Sequence, residues 1–194
     1  MSTAKYFHIL SQFADRSYFT NREAHNSGVP SRMLAYYAQV GKLEKIAHGL
    51  YRLPRERQET SLFRDLFETA ATVPRGIICL LSALQIYNFT DQIMREFWIA
   101  IPNRDKPPVR ALTRFVRMRN CTLGLATLAF EGWSLAIFDR ERTVVDTFRY
   151  LDKEIAIKAL KAYLASENVD LIKITAYAQK LRVNLEPYLL AFTT

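Results

Sequence analysis

The sequence predicts an α+β protein: a small N-terminal module of short helices and a β-hairpin, then a larger domain that mixes strands and helices. Three observations predict it. Within residues 1–55, Gly28 and Gly41 close two short helix-like runs, and Gly49 lies between two strand-like runs. From residue 59 onward, apolar stretches of strand length, at 97–101 and 133–138, alternate with amphipathic stretches of helix length. Of the 194 residues 49% are hydrophobic, enough to bury a core rather than leave the chain disordered.

Residues 4–14 place Phe7, Leu10 and Phe13, with Tyr6, near helical spacing and predict a first helix. Thr20 then reads as an N-cap, with Glu23 three residues on to complete a capping box. This short helix runs to about Asn26 and stops at Gly28, whose missing Cβ permits a left-handed cap. Pro30 fits the first turn of the next helix, where a missing N–H costs nothing; Ser31 is an alternative cap one residue later. That helix runs to about Val40 and ends at Gly41. Met33 or Leu34, Tyr37 and Ala38 should face inward, and Arg32, Ala35, Tyr36 and Gln39 outward. Residues 42–53 read as two short strands about the turn 47–49, with Leu43, Ile46, Leu50 and Leu53 as apolar positions. Helix, turn, helix and hairpin in this order are the parts of a winged helix-turn-helix, assigned here to residues 1–55.

The polar stretch 54–58 is the expected boundary, and residues 59–194 the expected mixed α/β C-terminal domain. An amphipathic helix over 59–72 carries Leu62, Phe63, Leu66, Phe67 and Ala70 on one face. Residues 77–88 are apolar enough and long enough for a buried helix. Strands are expected at 97–101, closed by Pro102, and at 133–138; 111–118 is a strand, or a helical turn running into one. Helices follow at about 140–150, 152–165 and 170–180, and an apolar tail occupies 185–192. Asp139 can cap the first of these helices, with Asp146 partly buried beside Arg142 and Arg149 as an internal ion-pair group.

Composition points to a polyanionic partner. The formal net charge is +8, of which residues 1–58 hold a surplus of five (nine Lys/Arg against four acids). Positive charge is thus densest in the helix-turn-helix part, as nucleic-acid binding requires. A helix fits the major groove, where base edges present a distinguishable pattern of donors and acceptors. Arg32, Tyr36 and Gln39, flanked by Ser31 and small Ala35, are the candidate base-reading residues. Arg22, Lys42 and Lys45 are candidates for phosphate contacts, which position the module without reading sequence. His48, at the hairpin tip, can enter a minor groove or meet a phosphate. The alternative use of such a module is protein docking. A second basic run, 103–119, offers Arg110 and Arg114 on one helix face and Arg117 and Arg119 on one strand face. It reads as a further surface for nucleic acid or for an acidic partner, or as a solvated face.

Catalytic signatures are absent from the sequence. His8, His25 and His48 have no zinc-ligand spacing, and no phosphate-loop, dinucleotide or nucleophile-elbow glycine pattern occurs. No acid is followed two residues later by Lys, the pair that metal-dependent nucleases commonly use. No catalytic residue, metal or cofactor is expected. Cys79 and Cys121 are far apart, in apolar stretches, and read as buried reduced thiols. With no secretory leader and no long apolar run, the chain reads as cytoplasmic, with no membrane partner.

With these residues in view, the chain resembles the AbiEi family, antitoxins of abortive-infection type IV toxin–antitoxin systems that also act as transcriptional autorepressors. Three places carry the resemblance. Gly28-Val-Pro-Ser-Arg-Met-Leu34, with Gly41 thirteen residues after Gly28 and a hairpin ending Gly49-Leu-Tyr-Arg52, is similar to the family's winged-helix pattern. Leu81-Ser-Ala-Leu84 with Phe97-Trp-Ile-Ala-Ile-Pro102 resembles its Ser-Ala-Leu helix and following strand. Arg142-Thr-Val-Val-Asp146 looks like its Arg-Thr-x-x-Asp helix start. The family often has several Arg or Lys on the recognition helix, where this chain has Arg32, Tyr36 and Gln39, so the operator would differ. The resemblance implies double-stranded DNA with inverted repeats as the target, bound by two copies, and a nucleotidyltransferase-like toxin as functional partner. It implies no stable complex with that toxin and leaves direct contact open. Two other readings of the residues stand beside it: a nuclease-like second domain delivered to DNA, and a regulator whose second domain binds a ligand.

Overall fold

The structure is a computed structural model that describes residues 3–16, 18–47, 49–54, 62–130 and 133–193. It is α+β and divides into two compact units, Met1–Glu68 with Ala129–Trp133, and Thr69–Leu128 with Ser134–Thr194. Beyond Pro54, the expected boundary at 54–58 lies outside the described residues.

The first unit begins with α1 (Thr3–Leu10), which tightens into a 3-10 turn over Ser11–Phe13. β1 (Phe19–Thr20) leads directly into α2 (Asn21–Asn26), and α3 (Ser31–Gln39) follows. The capping box forms as expected. Thr20 Oγ1 accepts from the Glu23 N–H at 3.1 Å, and Glu23 Oε2 accepts from the Thr20 N–H at 2.8 Å. Arg16 adds an ion pair to Glu23 at 2.7 Å. Burial pushes the Glu23 carboxyl up, but the Thr20 N–H, the Thr20 hydroxyl and Arg16 together hold it below its ordinary value. Gly28 takes φ +88, the left-handed stop that frees the chain to turn into α3. Pro30 is the N-cap of α3 rather than a first-turn residue, because its ψ of 143 keeps it extended. Ser31 is therefore the first helical residue and not a cap. The N-cap itself, Pro30, makes no side-chain cap bond.

β2 (Glu44–Ala47) and β3 (Leu50–Arg52) form the hairpin, and β1 adds to β3, giving an antiparallel sheet in the order β1-β3-β2. Phe19 pairs with Tyr51 and Glu44 with Arg52, with a register irregularity between Lys45 and Ala47. The Asn21 N–H donates to the Gly49 carbonyl at 2.7 Å, tying the start of α2 to the hairpin turn. The core of this unit gathers Leu10, Phe13, Phe19, Val29, Leu34, Tyr37, Leu43 and Tyr51. Phe13 stacks on Phe19 at 4.7 Å, and Phe7 meets Tyr37 edge-on at 5.5 Å. Each fully buried apolar side chain of this size contributes about 1.5–3 kcal/mol.

α4 (Leu62–Thr72) carries the chain into the second unit, burying Leu66, Phe67 and Ala70 while Phe63 stays exposed. There follow β4 (Ile77–Ile78), α5 (Leu80–Ile86), β5 (Phe97–Pro102), β6 (Thr113–Met118), β7 (Leu125–Phe130) and β8 (Trp133–Phe138). They form one sheet in the order β6-β5-β4-β8-β7; β5 runs parallel to β6 and antiparallel to β4, and β4 runs parallel to β8. Then come α6 (Arg140–Tyr150), α7 (Lys153–Leu164), α8 (Leu171–Leu181) and α9 (Glu186–Thr193). Their core joins Leu84, Phe89, Val144, Val145, Leu160, Tyr163 and Ile174.

One expectation gives way, and two segments without an assigned element gain one. Residues 77–88 are not one helix, because Ile77 and Ile78 pair with Ala100 and Ile99 and leave the helix to start after extended Cys79. The segment 125–130, unassigned from the sequence, is strand β7. The apolar tail is helix α9. Cys79 is fully buried and Cys121 half-buried, both are free thiols, and burial pushes both thiol pKa values up.

Candidate nucleic-acid interface

α3 is amphipathic by construction. Leu34 and Tyr37 are fully buried, Met33 and Ala38 half-buried, and Ser31, Arg32, Ala35, Tyr36 and Gln39 are exposed on the other side. Tyr36 keeps 46% of its surface in solvent, a large aromatic held outward at 5.7 Å from the buried Tyr37 ring. Burial raises the Tyr37 hydroxyl pKa, so this ring is a neutral packing group. One exposed helical stripe thus carries a guanidinium, a phenol and a carboxamide, with the small Ala35 between them.

The cations around this stripe fall into two groups. Arg16 is paired with Glu23, and Arg52 bridges Glu44 at 2.6 Å and Glu68 at 2.8 Å. These two hold structure. The Glu68 carboxyl is pushed up by burial, with Arg52 acting against that rise. Arg22, Arg32 and Lys45 are exposed and form no ion pair among the described residues. Lys42 is exposed too, its ammonium 5.5 Å above the Phe7 ring. All four belong to the first unit. His48 lies outside the described residues.

In the second unit, the expected pairing of basic residues does not survive. Residue 110 is in a loop and residue 114 in β6, so Arg110 and Arg114 share no helix face. Arg110 donates to the Val109 carbonyl and reaches Thr72; Arg114 stacks over Trp98 at 4.4 Å and pairs with Glu96 at 3.3 Å. Strand alternation puts Arg117 on the side of β6 opposite Arg114, and Arg119 lies in a bend just beyond the strand, where that alternation no longer places it beside Arg117. Arg119 instead joins Arg149, Lys180 and Arg182 around a cavity of about 280 Å3. That grouping was beyond sequence reading, since its members come from a loop, α6 and the end of α8.

Arg142-Thr-Val-Val-Asp146 has a structural role. Asp139 caps α6 by accepting from the Arg142 N–H at 2.8 Å. The Arg142 side chain is fully buried; it donates to Asp146 at 2.7 Å, to the Leu123 carbonyl at 2.8 Å and to the Asn120 carbonyl at 3.0 Å. Its guanidinium lies 4.4 Å over the Phe138 ring. Arg149 takes the other Asp146 oxygen at 2.8 Å. Burial pushes the Asp146 carboxyl up, against both guanidiniums. Gly124 is required beside this group: a Cβ there would meet Arg142 Cβ at 2.5 Å, at a φ of +69. Among the described residues, no group of three His, Cys, Asp or Glu is placed to hold a metal ion, and no helix is long and apolar enough to cross a membrane.

The N-terminal unit therefore defines a helix-turn-helix-like module of the kind found in transcriptional regulators. Residues 8–54 match the family model described as transcriptional regulator, AbiEi antitoxin, the family that the sequence resembles. The matched segment runs from α1 to the residues just after β3 and contains the whole exposed stripe of α3. Among solved structures, the chain is similar to the RV2827C protein from Mycobacterium tuberculosis, at 14% identity and a TM-score of 0.58, over 88% of this chain and 70% of that one. This likeness concerns the fold. No curated protein matches the chain.

Proposed function

We propose that the protein is a DNA-binding transcriptional repressor of the AbiEi antitoxin kind, which autoregulates its operon and has no catalysis of its own. The observation that carries this reading is the exposed α3 stripe of Arg32, Tyr36 and Gln39, inside the segment that matches the regulator family. α3 enters the major groove, with Arg32 and Gln39 reading base edges and Tyr36 touching a base or thymine methyl. The hairpin is the wing, lying along the adjacent backbone. Arg22, Lys42 and Lys45 meet phosphates, and His48 serves the wing tip. Two copies bind an inverted repeat, one per half-site. The second domain, residues 59–194, supplies the antitoxin activity against a nucleotidyltransferase-like toxin in the cytoplasm.

The test is a gel-shift titration with DNA from upstream of the gene's own operon, against a scrambled duplex at moderate salt. Retardation confined to the upstream DNA supports the repressor. Equal, salt-sensitive binding to both duplexes would leave only a basic surface and sink the operator reading.

A further inference from the structure

The cavity of about 280 Å3 in the second unit is lined by Met118, Arg119, Asn120, Arg142, Arg149 and the C-terminal end of α8, Lys180-Leu181-Arg182. Five of its lining residues are cations and none is an acid. Asp146 is a counter-charge to two of them, shared between Arg142 and Arg149. Arg119, Lys180 and Arg182 are exposed and make no ion pair among the described residues. Like charges gathered in one concavity repel each other and raise the local potential for an anion.

The polar atoms are sorted in the same sense. The fully buried Arg142 spends its N–H groups on Asp146, Leu123 and Asn120, so it supplies field rather than bonds. Asn120 Oδ1 accepts from the Thr122 and Leu123 N–H groups, which leaves its NH2 as an uncommitted donor among the described residues. Arg182 closes α8 in a left-handed conformation at φ +58, an unfavourable position for a side chain with a Cβ. Cations at the end of α8 also complement its dipole; that role needs neither Lys180 nor Arg182 to line a cavity with Arg119.

We propose that this cavity binds the phosphate group of a small phosphorylated ligand. The concave wall, drawn from three separate segments with a wholly buried guanidinium behind it, suits a compact anion. A duplex backbone, convex and continuous, needs an open basic surface instead. The volume takes a phosphate or diphosphate with a short appended group rather than a complete large ligand. Arg119, Lys180 and the Asn120 NH2 supply donors, and Arg182 a fork for two phosphate oxygens. The proposal does not depend on the DNA reading of the first unit.

The full chain is followed by thermal unfolding with inorganic phosphate, a nucleoside 5′-monophosphate, the parent nucleoside, and sodium chloride at matched ionic strength. The expected result is a saturable rise in Tm with the two phosphate compounds only. Lys180→Ala and Arg182→Gly, which leave the core intact, should each bind phosphate about tenfold more weakly, as loss of a charge-assisted hydrogen bond requires. Glycine at 182 keeps the left-handed backbone available, so a folding defect is separable from lost binding. An equal rise with chloride, or unchanged affinity in both variants, overturns the proposal. If neither small phosphate raises Tm, the small-ligand assignment fails, and a rise with duplex DNA that is smaller in Lys180→Ala and Arg182→Gly would make the site a backbone contact instead.

Discussion

Arg32 and Asp146 are two charged residues with opposite surroundings. Arg32 is exposed, pairs with no acid among the described residues, and sits at the first turn of α3. If it reads a guanine, Arg32→Ala costs about 1–3 kcal/mol of operator affinity and relaxes preference at that base pair. An operator titration unchanged by the substitution would remove Arg32 from the reading face. Asp146 is 1% exposed and holds two guanidiniums. Asp146→Ala leaves the Arg142 charge buried without its partner, and urea unfolding should register a loss of about 3–5 kcal/mol. Arg149→Ala removes a partner that is 32% exposed on the same carboxylate, and should cost about 1 kcal/mol or less. Equal losses in the two variants would mean that the group is not organised around Arg142. The ion-pair group was legible from the sequence as an Asp flanked by Arg at i−4 and i+3 of one helix. The carbonyls of Asn120 and Leu123 that complete it were not, because no local pattern announces a loop some twenty residues away.

At the scale of elements, the helices that carry their own punctuation were legible. Thr20 and Glu23 fix the start of α2, Gly28 its stop, and Asp139 the start of α6. What escaped was strand structure defined by partners: Ile77 and Ile78 read as helix by length, and β7, Leu-Ala-Thr-Leu-Ala-Phe, has no alternation of apolar and polar residues, although Gly124 before it and Glu131-Gly132 after it were turn signals that could have marked it. The capping box gives a test at this scale. Thr20→Ala should cost about 0.5–2 kcal/mol. Its acid partner sets a pH dependence. Glu23 ionises below its ordinary 4.5 in the folded chain, so its contribution is present above that value and lost as the pH falls through the lower, folded one. Amide protection across α2 should therefore weaken as the pH is taken below about 4.5, and Glu23→Gln should flatten that dependence. The same pH profile in both proteins would place the titration elsewhere.

For the whole molecule, the surplus of +8, densest in residues 1–58, would set the salt dependence of the DNA binding proposed above. Each phosphate contact contributes a slope of about −0.9 in log K against log salt. Replacing Arg22, Lys42 and Lys45 together by Ala should flatten the slope by about 2–3 and leave the ratio of specific to scrambled affinity nearly unchanged. A collapse of that ratio would mean that one of the three reads bases. The hairpin is hydrogen-bonded to the start of α2 twice over, through β1 on β3 and through the Asn21 N–H on Gly49. The α3 helix joins the same frame, since the Lys42 and Leu43 N–H groups donate to the Tyr37 carbonyl and Tyr37 shares a core with Leu43 and Tyr51. If α3 reads the groove and the hairpin is its wing, as proposed, the two are jaws of a single caliper, set to one span along the duplex. A base pair inserted inside a half-site, between the two zones they touch, has no hinge to absorb it. Footprints on such a duplex should lose protection over one zone outright, where inserting the same base pair outside the half-site leaves both.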